Sequence, residues 1–356
     1  MQIEIESKIR DYRLIFAEDD AYFERLAACA PRVVIADANV YRLYKPLFDR
    51  WFADEEIVRF DAVEANKNIG GVLALCDRVM ALSAKKNLTI VSFGGGIVQD
   101  VTGFLASVLY RGVGWVFVPT TLLAQSDSCM GSKTSLNHRH FKNLIGTFYP
   151  PSEVWIDSRF VGTLSETDFY SGIGEIVKLH LMGGRATAEG IADEIARIGA
   201  GDRSRLPELV HRALEIKYSY IKDDEFDTGR RNLLNYGHCF GHALESAADY
   251  AVPHGIAVVA GILFAELVAV RRGLRSAERV RRNAEHLLLP CLRCPVKAEY
   301  FDRGRILAAM KMDKKRVGDG LPLIVADDEY EMHKLTDMTP EELFAGMDEM
   351  RRILEI

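Results

Sequence analysis

The sequence predicts an α/β protein in which a Rossmann-like domain with a parallel sheet is followed by a mostly α-helical C-terminal domain. Three observations predict this fold class. In the first half of the chain, short apolar and β-branched runs alternate with amphipathic stretches, as in parallel sheets covered by helices on both faces. From about residue 165 onward, apolar residues recur at helical spacing. A chain of 356 residues also exceeds the size that one core usually reaches, so two domains are expected.

The individual elements follow from the same patterns. We predict strands at 32–36, 57–60, 88–93, 115–118 and 154–157, and one late strand at 321–325. Helices are predicted after residue 38 and at 69–85, 98–109, 206–221, 256–270 and 276–289. The domain boundary is placed after Asp157, which divides the chain into residues 1–157 and residues 158–356.

Composition excludes several classes of protein. The formal charge of −6 provides no sequence-wide basic surface for nucleic acid or an anionic membrane, so an anionic substrate must be bound by locally placed lysines and arginines. The first residues lack the basic and apolar regions of a signal peptide, and no apolar run approaches the ~18 residues of a spanning helix. We therefore expect a cytoplasmic protein whose six cysteines are reduced.

A glycine-rich turn follows the third predicted strand. This strand ends at Phe93 and runs into Gly94-Gly95-Gly96, after which a helix is predicted. Glycines at such a turn let a pyrophosphate approach the backbone, and the free N–H groups at the helix start favour an anion. The spacing is not the GxGxxG pattern, so a tight turn that needs glycine explains the motif as well. Asp37, after the first predicted strand, could accept a hydrogen bond from a ribose hydroxyl or cap the following helix.

Three histidines and a glutamate suggest a metal site in the second half. His238 and His242 are one helical turn apart, His254 follows in Pro-His-Gly, and Glu175 precedes them in Gly-Glu-Ile-Val-Lys. Imidazole and carboxylate ligands suit a zinc-like ion, whose catalytic sites leave one position open for substrate. An HxxxH pair alone is a weak indication, because histidines at this spacing often only share a polar helix face.

Several polar motifs in a fixed order decide between these interpretations, because together they resemble the dehydroquinate synthase family of sugar phosphate cyclases. The motifs lie at 110–113, 119–128, 131–134, 137–138, 142–146, 174–178, 233–238, 253–255 and 313–315, so the resemblance covers roughly residues 30–320. It implies a dehydroquinate synthase-like fold, with an NAD-binding α/β domain at 1–157 and a metal- and substrate-binding helical domain at 158–356. It also implies a homodimer.

The resemblance implies two cofactors. One is a divalent metal ion, zinc or cobalt, bound by Glu175, His238 and His254, with His242 as a substrate contact instead of a fourth ligand. The other is NAD. The implied NAD contacts are Asp37, Asn39, Glu64, Lys67, Gly95, Gly96, Asp100, Thr120, Thr121, Asp127, Lys142 and Thr163.

Further cations and amides are implied to bind the substrate. They are Lys133, Lys142, Asn143, Lys178, Lys217, Arg231, Asn235, His242 and Lys314. Each alone would be an ordinary solvated group, but a substrate with two anionic groups needs several charge-assisted hydrogen bonds to replace its water. Arg111 is implied to reach the phosphate site of the neighbouring subunit, and Asp127 and Lys217 to position hydroxyls and relay protons. Motif alignment favours Lys314 over Lys315 as the phosphate contact.

The implied activity is the cyclisation of a seven-carbon keto-acid phosphate with loss of phosphate, through transient oxidation by NAD, β-elimination, reduction and aldol closure. Two departures leave the substrate open, since Ser132 stands where the family usually has glycine and Arg230 where it has leucine. Related cyclases act on sedoheptulose 7-phosphate, with valiolone-type products, or on glucose 6-phosphate, with 2-deoxy-scyllo-inosose as product. Lys133 and Arg231 stand where the family binds the substrate carboxylate, and their presence favours the keto-acid.

Two other functions remain open. An NAD-linked polyol dehydrogenase of the glycerol dehydrogenase kind would accumulate NADH, but glycerol has no charge for the cationic residues to bind. A degenerate family member that acts only as a binding or regulatory subunit would retain neither NAD nor metal.

Overall fold

The structure is a computed structural model that describes residues 1–82, 86–139, 141–312 and 320–356. The described residues form two compact units. The first unit comprises Met1–Leu164 and Ile221–Phe226, and the second comprises Ser165–Tyr220 and Asp227–Ile356.

The division between the units lies after Leu164, beyond the boundary predicted at Asp157. The turn Ser158–Thr163 accounts for the difference, because it packs within the first unit. There the Tyr44 hydroxyl donates a hydrogen bond to the backbone carbonyl of Arg159 at 2.9 Å. The strand that ends before Asp157 is therefore not the last element of the first unit.

A largely parallel sheet forms the centre of the first unit. The strands of this unit are β1 (Gln2–Ile5), β2 (Tyr12–Phe16), β3 (Arg32–Asp37), β4 (Ile57–Phe60), β5 (Thr89–Gly94), β6 (Gly114–Pro119), β7 (Lys133–His138), β8 (Phe141–Phe148) and β9 (Glu153–Ile156). The sheet has the order β1-β2-β9-β6-β5-β3-β4. β1 pairs antiparallel with β2, and the other neighbours pair in parallel. β7 and β8 form a separate antiparallel hairpin.

Helices cover this sheet. They are α1 (Ala21–Ala28), α2 (Ala38–Leu43), α3 (Lys45–Trp51), α4 (Ile69–Ala81) and α5 (Gly96–Val108). Consecutive residues of β3 are buried on both faces, as expected for a parallel strand between layers of helices. Aromatic side chains fill one of these layers, where the ring centroids of Phe48 and Phe93 lie 5.0 Å apart. β3 and β5 pair directly in parallel, so their carboxyl ends lie side by side.

The second unit is mostly helical. Its helices are α6 (Glu166–Met182), α7 (Arg185–Gly199), α8 (Leu206–Ile221), α9 (His238–Ala247), α10 (His254–Arg271), α11 (Ala277–Asn283), α12 (Arg303–Lys311) and α13 (Pro340–Ile353). Strands β10 (Leu321–Ala326) and β11 (Met332–Met338) form an antiparallel pair. α10 is the core element, and it packs against α6, α9, α13 and β10.

Among the described residues, α10 alone is long and apolar enough to cross a membrane by length and composition. However, 83% of its 18 residues are buried inside the protein. Its interior also contains Glu266, which is fully buried and lies 3.2 Å from Arg275 of the same unit. A helix that its own unit covers in this way is a core helix.

Most predicted elements are confirmed. The predicted strands correspond to β3, β4, β5, β6, β9 and β10, and the predicted helices to α2, α4, α5, α8, α10 and α11. The helix predicted at 276–289 ends as an α-helix at Asn283 and continues as a π-helical turn, Ala284–Leu288. Residues 83–85, at the end of another predicted helix, lie outside the described residues. The prediction lacks β1, β2, β7, β8 and β11, and the exposed polar residues of β7, β8 and β11 obscure the pattern of a buried strand.

Candidate active site

Glu175 and His254 meet because two helices touch through glycine. Glu175 lies on α6 next to Gly174, and His254 begins α10 next to Gly255. A Cβ atom on Gly174 would lie 2.2 Å from the Gly255 carbonyl oxygen, so only glycine permits the two backbones to approach this closely. The neighbouring side chains are thereby brought together, with His254 Nε2 3.4 Å from Glu175 Oε1.

His238 reaches the same carboxylate from a third helix. It begins α9, which contacts α10 where a Cβ atom on Gly261 would lie 1.8 Å from the Gly237 carbonyl oxygen. His238 Nε2 lies 3.5 Å from Glu175 Oε1. Its Nδ1 lies 3.1 Å from the Tyr236 carbonyl oxygen. Because a carbonyl only accepts, Nδ1 carries the proton and Nε2 offers a lone pair to a metal ion.

His242 lies one turn further along α9. Its ring centroid is 5.2 Å from that of His238 and 5.5 Å from that of His254. One ring nitrogen from each histidine lies within 4.8 Å of the other two, and His242 is the exposed member of the group. The three histidines and Glu175 therefore form one cluster with the donor atoms of a divalent metal site.

The electrostatics of Glu175 fit a bound cation. The side chain is fully buried, and the buried Lys178 Nζ lies 2.5 Å from its Oε2. Among the described residues, neither carboxylate oxygen has a partner in hydrogen-bond geometry. Burial alone would raise the pKa of Glu175, but Lys178, His238 and His254 outweigh burial and hold that pKa well below its usual range. The carboxylate is therefore ionised, and its Oε1, which faces both histidines, is the oxygen available to a metal ion.

The two imidazoles nearest to Glu175 differ in protonation. Burial, reinforced by the Lys178 ammonium, lowers the pKa of His238 well below its usual value, so this ring is neutral, as metal ligation requires. Burial acts in the same direction on His254, but its contacts with Glu175 and Glu245 raise the pKa of His254 to about 10. A divalent ion would replace the proton on the Nε2 atom that faces Glu175.

Glu245 supports His254 from its other side. Glu245 is buried, and its Oε2 lies 3.2 Å from His254 Nδ1. A carboxylate that accepts from Nδ1 directs Nε2 toward the candidate metal position and makes the ring a stronger ligand. Glu245 lies in none of the motifs that identify the metal ligands. Its position seven residues after His238, on the same face of one helix, is the signal that could have identified it.

The other expected substrate residues of the second unit are largely buried. Lys217 on α8 and Arg231 are 7% and 5% exposed. Asn235 is half-buried, and its Nδ2 donates to a backbone carbonyl at 2.6 Å. Lys314 and the alternative Lys315 lie outside the described residues.

In the first unit, several expected nucleotide contacts lie at the carboxyl edge of the sheet. β3, β5 and β6 run parallel, so the residues that follow them share one edge. Thr120 N donates to the Gly94 carbonyl oxygen at 2.9 Å, and α5 begins at Gly96 with its free N–H groups at this edge. Asp37 Oδ1 accepts from Asn39 N at 2.8 Å, which confirms that Asp37 caps α2.

The remaining expected nucleotide contacts belong to the same unit. A Cβ atom on Gly95 would lie 2.9 Å from the side chain of Thr121, so these two residues are in close contact. Asp127 is half-buried in a π-helical turn. Thr163 Oγ1 lies 3.0 Å from Tyr44 Oη.

Other expected contacts form a polar network in the first unit. Lys67 Nζ lies 2.5 Å from Asp100 Oδ2 and donates to Asn143 Oδ1 at 2.7 Å. Lys142 Nζ lies 3.9 Å from Glu64 Oε1. Ser135 and Asn137 of β7, to which the resemblance assigns no role, complete this network. Asn143, expected to bind the substrate, is thus in direct contact with Lys67, expected to bind the nucleotide.

The turn that carries Lys133 is strained and anchored. Ser132 has a φ of 64°, in the left-handed region that favours glycine. Its hydroxyl donates to Glu225 Oε1 at 2.9 Å, and the same buried carboxylate accepts from Ser7 Oγ and Lys8 N, each at 2.7 Å. The serine that replaces the glycine of the family therefore keeps a glycine-like backbone and is held there by Glu225.

Arg111 lies in a second strained turn. Tyr110, Arg111 and Gly112 have successive positive φ values of 51°, 67° and 124°. The Tyr110 hydroxyl lies 3.5 Å from Met80 Sδ of α4, and the Arg111 side chain is exposed. Such strain persists only where the surrounding structure holds it, and it is common at functional sites.

Both halves of the chain match known protein families. Residues 57–171 match the family model for the N-terminal part of 3-dehydroquinate synthase, and residues 172–316 match that for its C-terminal part. A 3-dehydroquinate synthase from Streptococcus equi subsp. equi is 30% identical over 91% of this chain and 91% of its own length.

Solved structures confirm the predicted fold class. A 2-deoxy-scyllo-inosose synthase, solved with carbaglucose-6-phosphate, NAD+ and Co2+, is 25% identical with a TM-score of 0.85, over 98% of this chain and 99% of that one. The 2-epi-5-epi-valiolone synthase of Streptomyces hygroscopicus subsp. jinggangensis, solved with NAD+ and Zn2+, is 24% identical and shares the fold, with a TM-score of 0.86 over 98% of both chains. The chain therefore belongs to the 3-dehydroquinate synthase family of sugar phosphate cyclases.

Proposed function

We propose that this chain is a 3-dehydroquinate synthase, which cyclises a seven-carbon keto-acid phosphate with loss of phosphate and depends on NAD and one divalent metal ion. Family membership along both halves of the chain supports this assignment. The observation that carries it is the convergence of His238 and His254 on the buried carboxylate of Glu175, at 3.5 and 3.4 Å.

We assign the metal ion to Glu175, His238 and His254. The position of Glu175 Oε1 between the Nε2 atoms of His238 and His254, together with the lone pair on His238 Nε2, supports this ligand set. A zinc or cobalt ion bound there would polarise the oxygen of a substrate alcohol or ketone. His242, the exposed histidine, is assigned to donate a hydrogen bond to the substrate, and the buried Lys178 to hold Glu175 ionised.

We assign NAD to the carboxyl edge of the parallel sheet. Bound NAD would accept a hydride and return it within one turnover, so no net oxidation results. The N–H groups at the start of α5 are assigned to the pyrophosphate and the residues around Asp37 to a ribose. We keep the full set of expected contacts, which are Asp37, Asn39, Glu64, Lys67, Gly95, Gly96, Asp100, Thr120, Thr121, Asp127, Lys142 and Thr163.

A carboxylate distinguishes the proposed substrate from those of the related cyclases, and we assign it to Lys133 and Arg231. The anchored turn at Ser132 supports this role for Lys133, because it holds the backbone next to the lysine in one conformation. Asp127 and Lys217 are assigned as hydroxyl-positioning and proton-relay groups. The substrate phosphate is assigned to the other cations and amides of the expected set, which are Lys142, Asn143, Lys178, Asn235 and Lys314. The alternative is a related cyclase that acts on sedoheptulose 7-phosphate or glucose 6-phosphate.

Phosphate release tests this function. Purified protein with NAD and Co2+ is incubated separately with the keto-acid phosphate, sedoheptulose 7-phosphate and glucose 6-phosphate. We expect phosphate only from the keto-acid phosphate, without accumulation of NADH. Release from one of the other two would assign a related cyclase, and stoichiometric NADH would indicate a polyol dehydrogenase. Protein that retains neither NAD nor metal and turns over none of the three would be a binding subunit.

The ligand set has its own test. His238→Ala should lose turnover together with bound metal, because it removes the histidine whose Nε2 is left unprotonated. Metal analysis of the purified variant, compared with the wild-type protein, measures this loss. An active and metal-replete variant would remove His238 from the ligand set.

We further propose a homodimer in which Arg111 completes the phosphate site of the partner subunit. An exposed apolar face supports this proposal, since Ile69, Leu73 and Met80 lie on one side of α4 and Tyr110 contacts Met80. The strained turn presents Arg111 beside this face. We also propose a cytoplasmic location, without nucleic acid or membrane as partners, in keeping with six free cysteines.

Subunit mixing tests the role of Arg111. Arg111→Ala and His238→Ala proteins should each be inactive alone. If Arg111 acts across the interface, a mixed dimer contains one intact site, so exchange of equal amounts should restore about a quarter of wild-type activity. No recovery in demonstrably mixed dimers would place Arg111 at the site of its own subunit.

A further inference from the structure

One face of β7 carries two polar residues to which the proposed function gives no role. Ser135 and Asn137 are two positions apart on this strand, so they share a face. Ser135 Oγ lies 2.9 Å from both Asp100 Oδ2 and Asn143 Oδ1. Asn137 Nδ2 donates to Glu64 Oε1 at 2.7 Å. Both residues therefore connect groups assigned to the nucleotide with Asn143, which is assigned to the substrate.

The contacts of Asn143 determine how its side-chain amide is oriented. Lys67 Nζ lies 2.7 Å from one atom of the amide, and because an ammonium group only donates, that atom is the oxygen. Ser135 Oγ lies 2.9 Å from the same oxygen. Asn143 is an exposed residue, and its amide nitrogen has no acceptor among the residues that the structure describes. An amide held by its oxygen in this way directs its two N–H groups toward a ligand that can accept.

Asn137 holds the backbone of Asn143. The φ of Asn143 is 53°, a left-handed conformation that asparagine tolerates at some cost in free energy. Asn137 Oδ1 accepts from Asn143 N at 3.0 Å, and Asn137 N donates to the Lys67 carbonyl oxygen at 2.8 Å. Asn137 thereby ties the start of β8, which carries Asn143, to the segment that carries Lys67.

The Ser135 hydroxyl links Asp100, a residue assigned to the nucleotide, to Asn143, a residue assigned to the substrate. Its two acceptors, Asp100 Oδ2 and Asn143 Oδ1, lie at the same distance, and one hydroxyl donates to only one of them at a time. Lys67 also contacts both acceptors, at 2.5 and 2.7 Å. The hydrogen bonding of Asp100 and the orientation of Asn143 therefore depend on each other.

We propose that Ser135 and Asn137 are positioning residues that hold Asn143 so that its amide N–H groups bind anionic oxygens of the substrate, and that they link this contact to the Lys67–Asp100 pair. The inference rests on the proposed function, which assigns Asn143 to the substrate. Ser135 and Asn137 act through Asn143 and do not touch the substrate themselves.

Binding of inorganic phosphate to the NAD-loaded protein, measured by calorimetry, tests this role. Ser135→Ala and Asn137→Ala should weaken phosphate binding and raise KM for the sugar phosphate about threefold to tenfold, the loss expected for one hydrogen bond, with kcat nearly unchanged. Ser135→Thr, which keeps the hydroxyl, should restore wild-type affinity. Ser107→Ala is the matched control, because Ser107 donates to a backbone carbonyl at 2.7 Å in the same unit but outside this network.

A double-variant cycle separates positioning from a general loss of structure. If Ser135 acts through Asn143, Ser135→Ala should cause no further loss of phosphate affinity in an Asn143→Ala background. Additive losses, or wild-type affinity in either the Ser135→Ala or the Asn143→Ala protein, would overturn the inference. Because calorimetry needs no turnover, a protein that binds phosphate as expected but cyclises no sugar phosphate would contradict only the proposed function.

Discussion

Glu245 is predicted to raise the metal affinity of the site by holding His254. Replacement of Glu245 by alanine removes the acceptor that lies 3.2 Å from His254 Nδ1. Two unit charges at this distance attract by ~5 kcal/mol at an effective dielectric constant of about 20, which is an upper bound because a metal-bound imidazole carries only part of a charge. Loss of such a partner typically weakens metal binding by about 10- to 100-fold, or ~1.4 to ~2.7 kcal/mol. We expect Glu245→Ala to fall in this range.

Titration of the metal-free protein with Co2+, followed by the visible absorption of the bound ion, measures this affinity without turnover. Glu245→Gln keeps an oxygen acceptor but loses the charge, so its affinity should fall by less than about tenfold. Glu278→Gln, which changes an exposed carboxylate on α11, should bind Co2+ like the wild-type protein. Wild-type affinity in a folded Glu245→Ala protein would refute the reasoning, because His254 would then need no partner to bind the ion.

Three further predictions concern stability. Ser132→Gly should leave the unfolding free energy within ~1 kcal/mol of wild type, because relief of the strained φ offsets the lost hydrogen bond to Glu225, whereas Ser132→Ala should lose ~1.5 kcal/mol or more. Thermal melts in which the alanine variant is the more stable would contradict this. Burial lowers the pKa of His180 to about 4, so as the pH falls below about 6.5 the unfolded chain binds this proton before the folded protein does. The unfolding free energy of the wild-type protein should therefore drop by ~3 kcal/mol between about pH 6.5 and pH 4, a drop that His180→Gln should not show. Urea unfolding at these two pH values measures both proteins, and equal drops would refute the reasoning. Gly261→Ala places a Cβ atom 1.8 Å from the Gly237 carbonyl oxygen, so it should lower the unfolding free energy by ~3 kcal/mol or more and weaken Co2+ binding. Gly190→Ala, at a helical position with open space around it, should change neither quantity. A Gly261→Ala protein that melts like the wild type would show that α9 and α10 can separate without cost.

The two kinds of strand in the first unit differ in how well sequence predicts them. β3 is a continuous apolar run that is buried on both faces, so its local pattern was sufficient. β7 and β8 are only partly buried, and polar residues of β7 such as Ser135 form a hydrogen-bond network instead of joining an apolar core. Because strands are predicted here from runs of buried apolar residues, such a hairpin is not identified from the sequence.

The candidate site shows the same limit. Motifs in the sequence identified Glu175, His238 and His254, whose geometry supports the proposed metal site. Asn137 lies in one of these motifs, but the motif does not reveal that its side chain holds the backbone of Asn143. Glu245 lies in none of them, and its contact with His254 is seen only in the structure.

The sequence by itself determined the buried strands of the parallel sheet, several helices, and which side chains carry ligand atoms, because these depend on residue type and short-range spacing. Only the tertiary structure decided which of those atoms meet. Glu175 lies beside His254 because α6 and α10 approach where Gly174 and Gly255 have no Cβ atom between the backbones. The physical reason is that spacing along a chain specifies the face of a helix or strand, whereas the packing of the whole unit selects the face that it meets.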